Sequence, residues 1–488
     1  MNARKSLLFF CSVLAGLVLL CICFPSEGIP LGGEFRLYFP NLTEVMTKDS
    51  ASIESDEPVL SPEELLQMRQ EALNTQKIEE FRTFSTTNAA RIYMPGNDET
   101  YLDEFWEELE CADTRHVRIM HYGDSQIECD RITSLLRQRF QEDFGGMGVG
   151  MVPALQTIQT YTLSSAIAPD SLPQYLAYGP SEMQRSDRFY GPLARTTHIP
   201  RYATIRLIAR DEEDYSLSSQ FNRITVMTKG PAKLLLTVRG GRETNEMPLS
   251  SGSGPYFYSV SLDNPTKGVT IGVKGDTDIL GIQLDGQTGV SMDNIPMRGS
   301  TGSALMNINR SSMTPFFERE NVALIILQFG GNSTPYLNDS KLHEFKEGIK
   351  RLIHSFQTLA PKAKVLFIGP ADMARRNRNG AMETYPIMPA LNDSLRAAAD
   401  EAGAAYWNMY EAMGGWGSII NWVKASPQLA GPDYIHFTPL GAKKIAQLLY
   451  DTLHLYYHFY LFRTGQEEVE LTAKDSAAVN IKKDEPQE

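Results

Sequence analysis

Short, nearly continuous apolar runs recur along this chain, and each leads into a segment whose apolar positions repeat every three or four residues. Val117 to Tyr122 is the first such run, and Ile127, Ile132, Leu135, Leu136 and Phe140 follow it at helical spacing. Val322 to Phe329 is another. It closes on Gly330-Gly331-Asn332 and precedes a helical pattern over 339–359. Val365 to Ile368, ended by Gly369-Pro370, comes before a helix near 389–402, and a short strand over 405–409 follows. A last helix starts at Pro439. Runs without polar alternation mark strands buried on both faces, so the pattern predicts an α/β fold with a parallel sheet covered by helices on both sides.

Between about Met151 and Asp285 the pattern changes. Thr204 to Ile208, Arg223 to Thr228, Lys233 to Val238, Tyr256 to Leu262 and Gly268 to Val273 read as strands at near-regular spacing. Lys229-Gly230-Pro231, Gly240-Gly241 and Asp263-Asn264-Pro265 are turn signals between them. Residues 151–285 therefore read as an all-β domain, a sandwich or jelly roll, inserted into an α/β domain made of 114–150 and 286–462. Asn294 to Gly302 reads as a loop, followed by a helix near 304–309.

Residues 29–113 read as a helical lead-in. Ser61-Pro62-Glu63-Glu64 has the residues of a helix start, with Leu65, Met68, Ala72 and Ile78 as an apolar face. A second helix is expected from about Glu99 to Leu109. The charged tail, 463–488, lacks apolar periodicity and is expected to be disordered. At the other end, Arg4 and Lys5 precede an apolar run from Leu7 to Phe24. Residues 1–28 read as a cleaved signal peptide or an uncleaved membrane anchor, and Ser26-Glu27-Gly28 supplies small residues for cleavage. Lipid attachment at Cys21 or Cys23 ranks third, because Leu20 and Ile22 are bulky for such a site. All three readings place the body outside the cytoplasm.

A formal net charge of −13 and the absence of a Lys/Arg cluster argue against nucleic acid as a partner. No Cys/His spacing suggests a metal, and no cofactor is implied. Beyond the export segment only Cys111 and Cys129 remain. They either pair in an oxidising compartment or stand as two separate buried thiols. The glycine-rich stretch 144–150 follows a helix and carries no Lys-Ser/Thr, unlike a phosphate-cradling loop, and reads as a flexible wall near the active site.

The candidate chemistry starts at Ser125, in His121-Tyr122-Gly123-Asp124-Ser125-Gln126, where a strand ends and a helix begins. Such a turn exposes a hydroxyl, and the helix amino end favours negative charge on nearby oxygen. Gly-Asp-Ser is equally a common way to turn a chain and cap a helix. A serine nucleophile needs a base, a group that orients the base, and oxyanion donors. Among eight histidines, His436 combines a nearby acid, Asp433, with a position after the sheet pattern and before the last helix. Asn332 follows a buried strand, at the sheet edge where open α/β folds bind ligands. Gly299 offers a backbone N–H from a loop expected at the same edge, with Gly289 and Gly302 as alternatives.

The order Gly-Asp-Ser, glycine loop, Gly-Gly-Asn, Asp-x-x-His on one α/β pattern resembles the GDSL/SGNH hydrolase family. The resemblance covers about 115–150 and 286–462. It implies a flavodoxin-like three-layer sandwich. It also implies Ser125 as nucleophile, Asp433 and His436 as acid and base, and Ser125, Gly299 and Asn332 as oxyanion donors. The chain departs at Gln126, where the family's name-motif has Leu. With its β insertion the chain is similar to bacterial peptidoglycan and carbohydrate O-acetylesterases that carry a carbohydrate-binding-like domain there. Tyr256, Phe257 and Tyr258 either stack on sugar or pack a strand core. The expectation is an exported serine esterase of the periplasm or cell envelope, removing O-acetyl groups from an acetylated carbohydrate. An O-acetyltransferase using the same acyl-enzyme and a non-catalytic glycan-binding envelope protein are the alternatives.

Overall fold

The apolar runs do become the strands of one sheet. The computed structural model describes residues 61–210, 213–239 and 245–469, with short stretches between 13 and 39. Most of the expected export segment, Gly240-Gly241 and the tail from 470 lie outside the described residues. The chain forms two units, Met1–Arg69 with Leu471–Glu488, and Gln70–Glu470. In the first, Ile29–Gly32 and Phe35–Leu37 make an antiparallel pair. Among the described residues no helix is long and apolar enough to cross a membrane.

The second unit holds a six-stranded sheet. Its strands are β1 (Ile92–Tyr93), β2 (His116–Gly123), β3 (Gly289–Pro296), β4 (Val322–Gln328), β5 (Lys364–Ile368) and β6 (Ala405–Trp407), in the order β3-β2-β4-β5-β6-β1. Neighbours run parallel except β1, which pairs antiparallel with β6. The sheet is therefore mixed where the apolar runs predicted a parallel one, because a two-residue edge strand leaves no period to read. Without β1, the order is the flavodoxin-like one, whose switch point falls between β2 and β4.

Alternate residues of β2 feed two cores. Val117 and Ile119 pack under α1 (Thr133–Phe144) and α4 (Pro439–Arg463), while Met120 and Tyr122 pack under α2 (Asp339–Leu359) and α3 (Met388–Glu401). Both faces of the sheet are thus covered, as continuous apolar strands require.

β3 runs through Asn294 and Ile295, where a loop was expected. Its Ser291 and Asp293 are fully buried yet polar, so the strand shows no apolar run. Their partners come from β2: His116 Nε2 lies 2.7 Å from Ser291 Oγ, and Arg118 Nη1 donates to Asp293 Oδ1 at 2.6 Å. Arg118 also pairs with Asp285 at the end of the β insertion, and its Nε lies 3.6 Å from Glu320.

The region 150–285 forms two antiparallel sheets around their own apolar core. One contains Phe221–Thr228, Tyr256–Thr266 and Thr277–Asp285, and the other Tyr202–Ala209, Lys233–Val238 and Gly268–Lys274. Asp263-Asn264-Pro265 is not a turn; it lies within a strand, opposite a register shift at Phe221/Arg223. Phe257 and Tyr258 are buried, which removes them as sugar platforms. The glycine stretch is a close crossing rather than a flexible wall. Gly148 has φ +88, and a Cβ there would lie 2.0 Å from Leu284 O. Gly286 N–H and Val290 N–H donate to Met147 O and Gly145 O at 3.1 and 2.9 Å.

The lead-in helix Pro62–Thr87 opens with the expected reciprocal cap. Glu64 N–H donates to Ser61 Oγ at 3.2 Å and Ser61 N–H to Glu64 Oε2 at 2.6 Å. Met68 is exposed, and the helix packs instead through Phe81, stacked on Phe459 at 3.7 Å. At the start of the tail, Val469 N–H donates to Asn74 Oδ1 at 2.9 Å. Cys111 and Cys129 are separate, free, half-buried thiols.

Candidate active site

β2 delivers Ser125 to the carboxyl edge of the sheet, beside the switch point. Ser125 opens a short 3-10 turn, Ser125–Asp130, capped by Asp124, whose Oδ1 accepts Gln126 N–H at 2.9 Å. The turn breaks at Cys129 and Asp130, with φ 63 and 66, so α1 starts only at Thr133. The sequence period ran straight through this break because Ile127 and Ile132 are both buried. Asp130 is held in its left-handed conformation by Arg137 Nη1 at 2.8 Å and Thr162 Oγ1 at 2.6 Å.

His436 arrives on the loop before α4. Its Nε2 lies 2.8 Å from Ser125 Oγ, and its Nδ1 lies 2.7 Å from Asp433 Oδ2. Asp433 Oδ1 accepts the backbone N–H of Ile435 and His436 at 3.0 and 3.1 Å. Partial burial pushes the Asp433 carboxyl up, but these hydrogen bonds, first that with the His436 side chain, outweigh it and hold the group below the ordinary carboxylate range. The loop is tight, with Tyr434 at φ 59 and Gly431 N–H donating to His436 O at 2.8 Å. Gln126, the departure from the family motif, clamps it, since Gln126 Nε2 donates to Ile435 O at 2.6 Å. A leucine cannot make that bond. Sequence reasoning missed this role because the acceptor is 309 residues away in the chain.

Asn332 follows β4 and sits beside the serine turn. Its amide donates to Asp124 Oδ2 at 3.3 Å and to Ser300 O at 3.0 Å. Burial raises the Asp124 carboxyl to about 6, offset in part by the Gln126 N–H and by His436 and Arg131. Met297 N–H donates to Gly123 O at 2.7 Å, which holds the Gly299 loop along the same edge. Among the described residues, neither Ser125 N–H nor Gly299 N–H has an acceptor within the protein. The alternatives to Gly299 are occupied differently. Gly302 N–H is bonded to Ser300 Oγ at 3.1 Å, and Gly289 stands at the far end of β3. His121, the first motif residue, is no base. Burial pushes it down to about 4, and it bridges Gln328 Oε1 and Thr133 Oγ1 at 3.0 Å each.

Ser125, His436 and Asn332 line a cavity of about 200 Å³ together with Gly331, Pro370 and Tyr336. Tyr336 is 75% exposed, an aromatic on this pocket that no period marks in the sequence. Gly299 does not line the cavity. Among the described residues no cluster of His, Cys, Asp and Glu is arranged to hold a metal.

Residues 265–444 match the model of the GDSL-like lipase/acylhydrolase family, a span that starts within the β insertion and includes Gly299, Asn332, Asp433 and His436 but not Ser125. In fold the chain is similar to a solved peptidoglycan O-acetylesterase, with a TM-score of 0.60 and 19% identity over 76% of this chain and 99% of that one. It is also similar to Est24, a carbohydrate acetylesterase from Sinorhizobium meliloti. There the identity is 16% and the TM-score 0.25, over 34% of this chain and 78% of that one. No curated protein matches the sequence.

Proposed function

We propose, for a chain that carries a GDSL-like lipase/acylhydrolase domain in an SGNH-type α/β fold, that it is an exported serine esterase removing O-acetyl groups from a carbohydrate. Cell-wall peptidoglycan or another envelope polysaccharide is the substrate class. The carrying observation is the unbroken line from Asp433 through His436 to Ser125, with steps of 2.7 and 2.8 Å, that ends in a small cavity. The peptidoglycan O-acetylesterase of similar fold supports the substrate class, and the basic-then-apolar segment Arg4 to Phe24 supports export.

The chemistry follows from the positions. His436 Nε2 takes the Ser125 proton as Oγ attacks the acetyl carbonyl. Asp433 keeps Nδ1 protonated and stabilises the imidazolium. The oxyanion is met by Ser125 N–H, Gly299 N–H and the Asn332 amide, which gives up its long bond to Asp124 Oδ2 and keeps that to Ser300 O. His436 returns the proton to the departing sugar oxygen. Water, deprotonated by His436, then attacks the acyl-enzyme and frees acetate.

Acetate release from an O-acetylated glycan, measured with wild type and His436→Ala, tests the reading. The expected loss of kcat in the variant is about 10³-fold or more. Equal rates would refute it, and transfer of acetyl to an added glycan without free acetate would move the assignment to an acetyltransferase.

A further inference from the structure

We infer that a second cavity beside the catalytic pocket receives a short peptide carried by the glycan, so that the substrate is a peptide-bearing polysaccharide. This rests on the esterase reading above and narrows its substrate. The cavity encloses about 320 Å³, within the range of small-ligand sites. It shares no lining residue with the catalytic pocket, yet one turn walls both. Ser125 and Gln126 face the catalytic pocket, Glu128 and Cys129 the second cavity. The segment from Pro296 to Ser300 also links them, since Pro296 and Arg298 line the second cavity, and Ser300 O accepts from Asn332, a lining residue of the catalytic pocket. A chain bound there lies one short turn from the acyl transfer.

The lining chooses between ligand classes. Its wall is aliphatic, with Val149, Met151, Val152, Ile158, Leu163 and Leu193. Sugar rings are recognised through aromatic faces and convergent polar groups. Here Tyr178 is the only aromatic lining residue, and its hydroxyl is already engaged with Pro296 O at 3.2 Å and with Arg195 Nη2 at 2.5 Å. The lining also carries opposite charges. Glu128 is 8% exposed, and its carboxylate makes no hydrogen bond among the described residues. The nearest cation, Arg298 Nη1, stands 3.8 Å away on a side chain that is 69% exposed. Of the other lining charges, Asp130 and Arg137 are paired with each other at 2.8 Å, and Arg195 donates to the Tyr178 hydroxyl. Small aliphatic side chains, an ammonium for Glu128 and a carboxylate for Arg298 are what a short peptide presents. A bare acetylated glycan offers only acetyl methyls and no ammonium, and a fatty acyl chain lacks the cation.

The test compares kcat/KM for an O-acetylated disaccharide carrying its peptide with the same disaccharide after enzymatic removal of the peptide. The expected preference for the peptide-bearing form is about ten-fold or more. The ratio should fall toward one in Arg298→Glu and in Thr157→Trp, where an exposed lining position receives an indole. Binding is read without turnover in Ser125→Ala, where the peptide-bearing glycan should slow alkylation of Cys129 by iodoacetamide. Equal kcat/KM for the two glycans, or no protection of Cys129, overturns the inference. Failure of wild type to hydrolyse even a simple acetyl ester overturns the esterase reading instead, and the alkylation assay still decides the peptide site.

Discussion

Asp124 Oδ2 lies 3.3 Å from Asn332 Nδ2, so the carboxylate that precedes the proposed nucleophile holds the amide proposed to meet the oxyanion. Its other oxygen caps the serine turn at Gln126 N–H. One buried side chain therefore ties two parts of the site. In Asp124→Asn an amide N–H would face the Asn332 amide, donor against donor, and kcat should fall about ten-fold.

The same variant has a pH signature. Burial lifts Asp124 to about 6 from an ordinary 3.8, so the folded chain holds this proton more tightly than the unfolded chain. The group therefore adds stability below pH 3.8, and that stability is lost as pH rises through about 6, to a limit of about 3 kcal/mol. Asp124→Asn cannot titrate. Urea unfolding should show the difference, variant minus wild type, moving in the variant's favour between pH 4 and 6 and levelling off above.

Gln126→Leu separates clamping from folding. Leucine removes the bond to Ile435 O and also the buried, unpartnered Gln126 Oε1, so stability should change by no more than about 1 kcal/mol. The His436 loop loses its tie to the serine turn, and kcat should drop about ten-fold by loss of alignment. Steady-state kinetics beside a thermal melt gives both numbers.

The two loop glycines should behave differently on substitution by alanine. At Gly299, φ is +74 and nothing lies within 4 Å of an added Cβ, so Gly299→Ala should cost only the conformational strain, about 1–2 kcal/mol. If its N–H meets the oxyanion, the strain shows as a lower kcat in a folded protein. At Gly302 the Cβ would come 2.9 Å from Leu352 Cδ2 and from Phe329 Cδ2, so Gly302→Ala should lose stability first.

Arg118→Met tests the buried charge cluster. It leaves Asp293 without a cation, while Asp285 and Glu320 keep Arg223, and the expected cost is about 3–5 kcal/mol in urea unfolding. Adding Asp285→Asn and Asp293→Asn should recover part of it.

These residues also show how far the sequence could be read. Ser125, Asn332, Asp433 and His436 stood out because each follows or precedes an element whose apolar period is plain, and the fold brings them to one edge. Four parallel strands were legible for the same reason. β3 was not, since its buried Ser291 and Asp293 look like loop residues until His116 and Arg118 are seen opposite them. The break at Cys129 was hidden by apolar residues that keep their spacing across it. Gln126 could not be valued at all, because its partner is a backbone carbonyl with no signature in the sequence.

The central claim is that Ser125 is activated by His436. Wild type, Ser125→Ala and His436→Ala should be treated with a fluorophosphonate and the labelled peptide found by mass spectrometry. A single adduct on Ser125 in wild type, absent from Ser125→Ala and slowed about 10³-fold in His436→Ala, is the expected result. An adduct on another serine, or label persisting in Ser125→Ala, would contradict it.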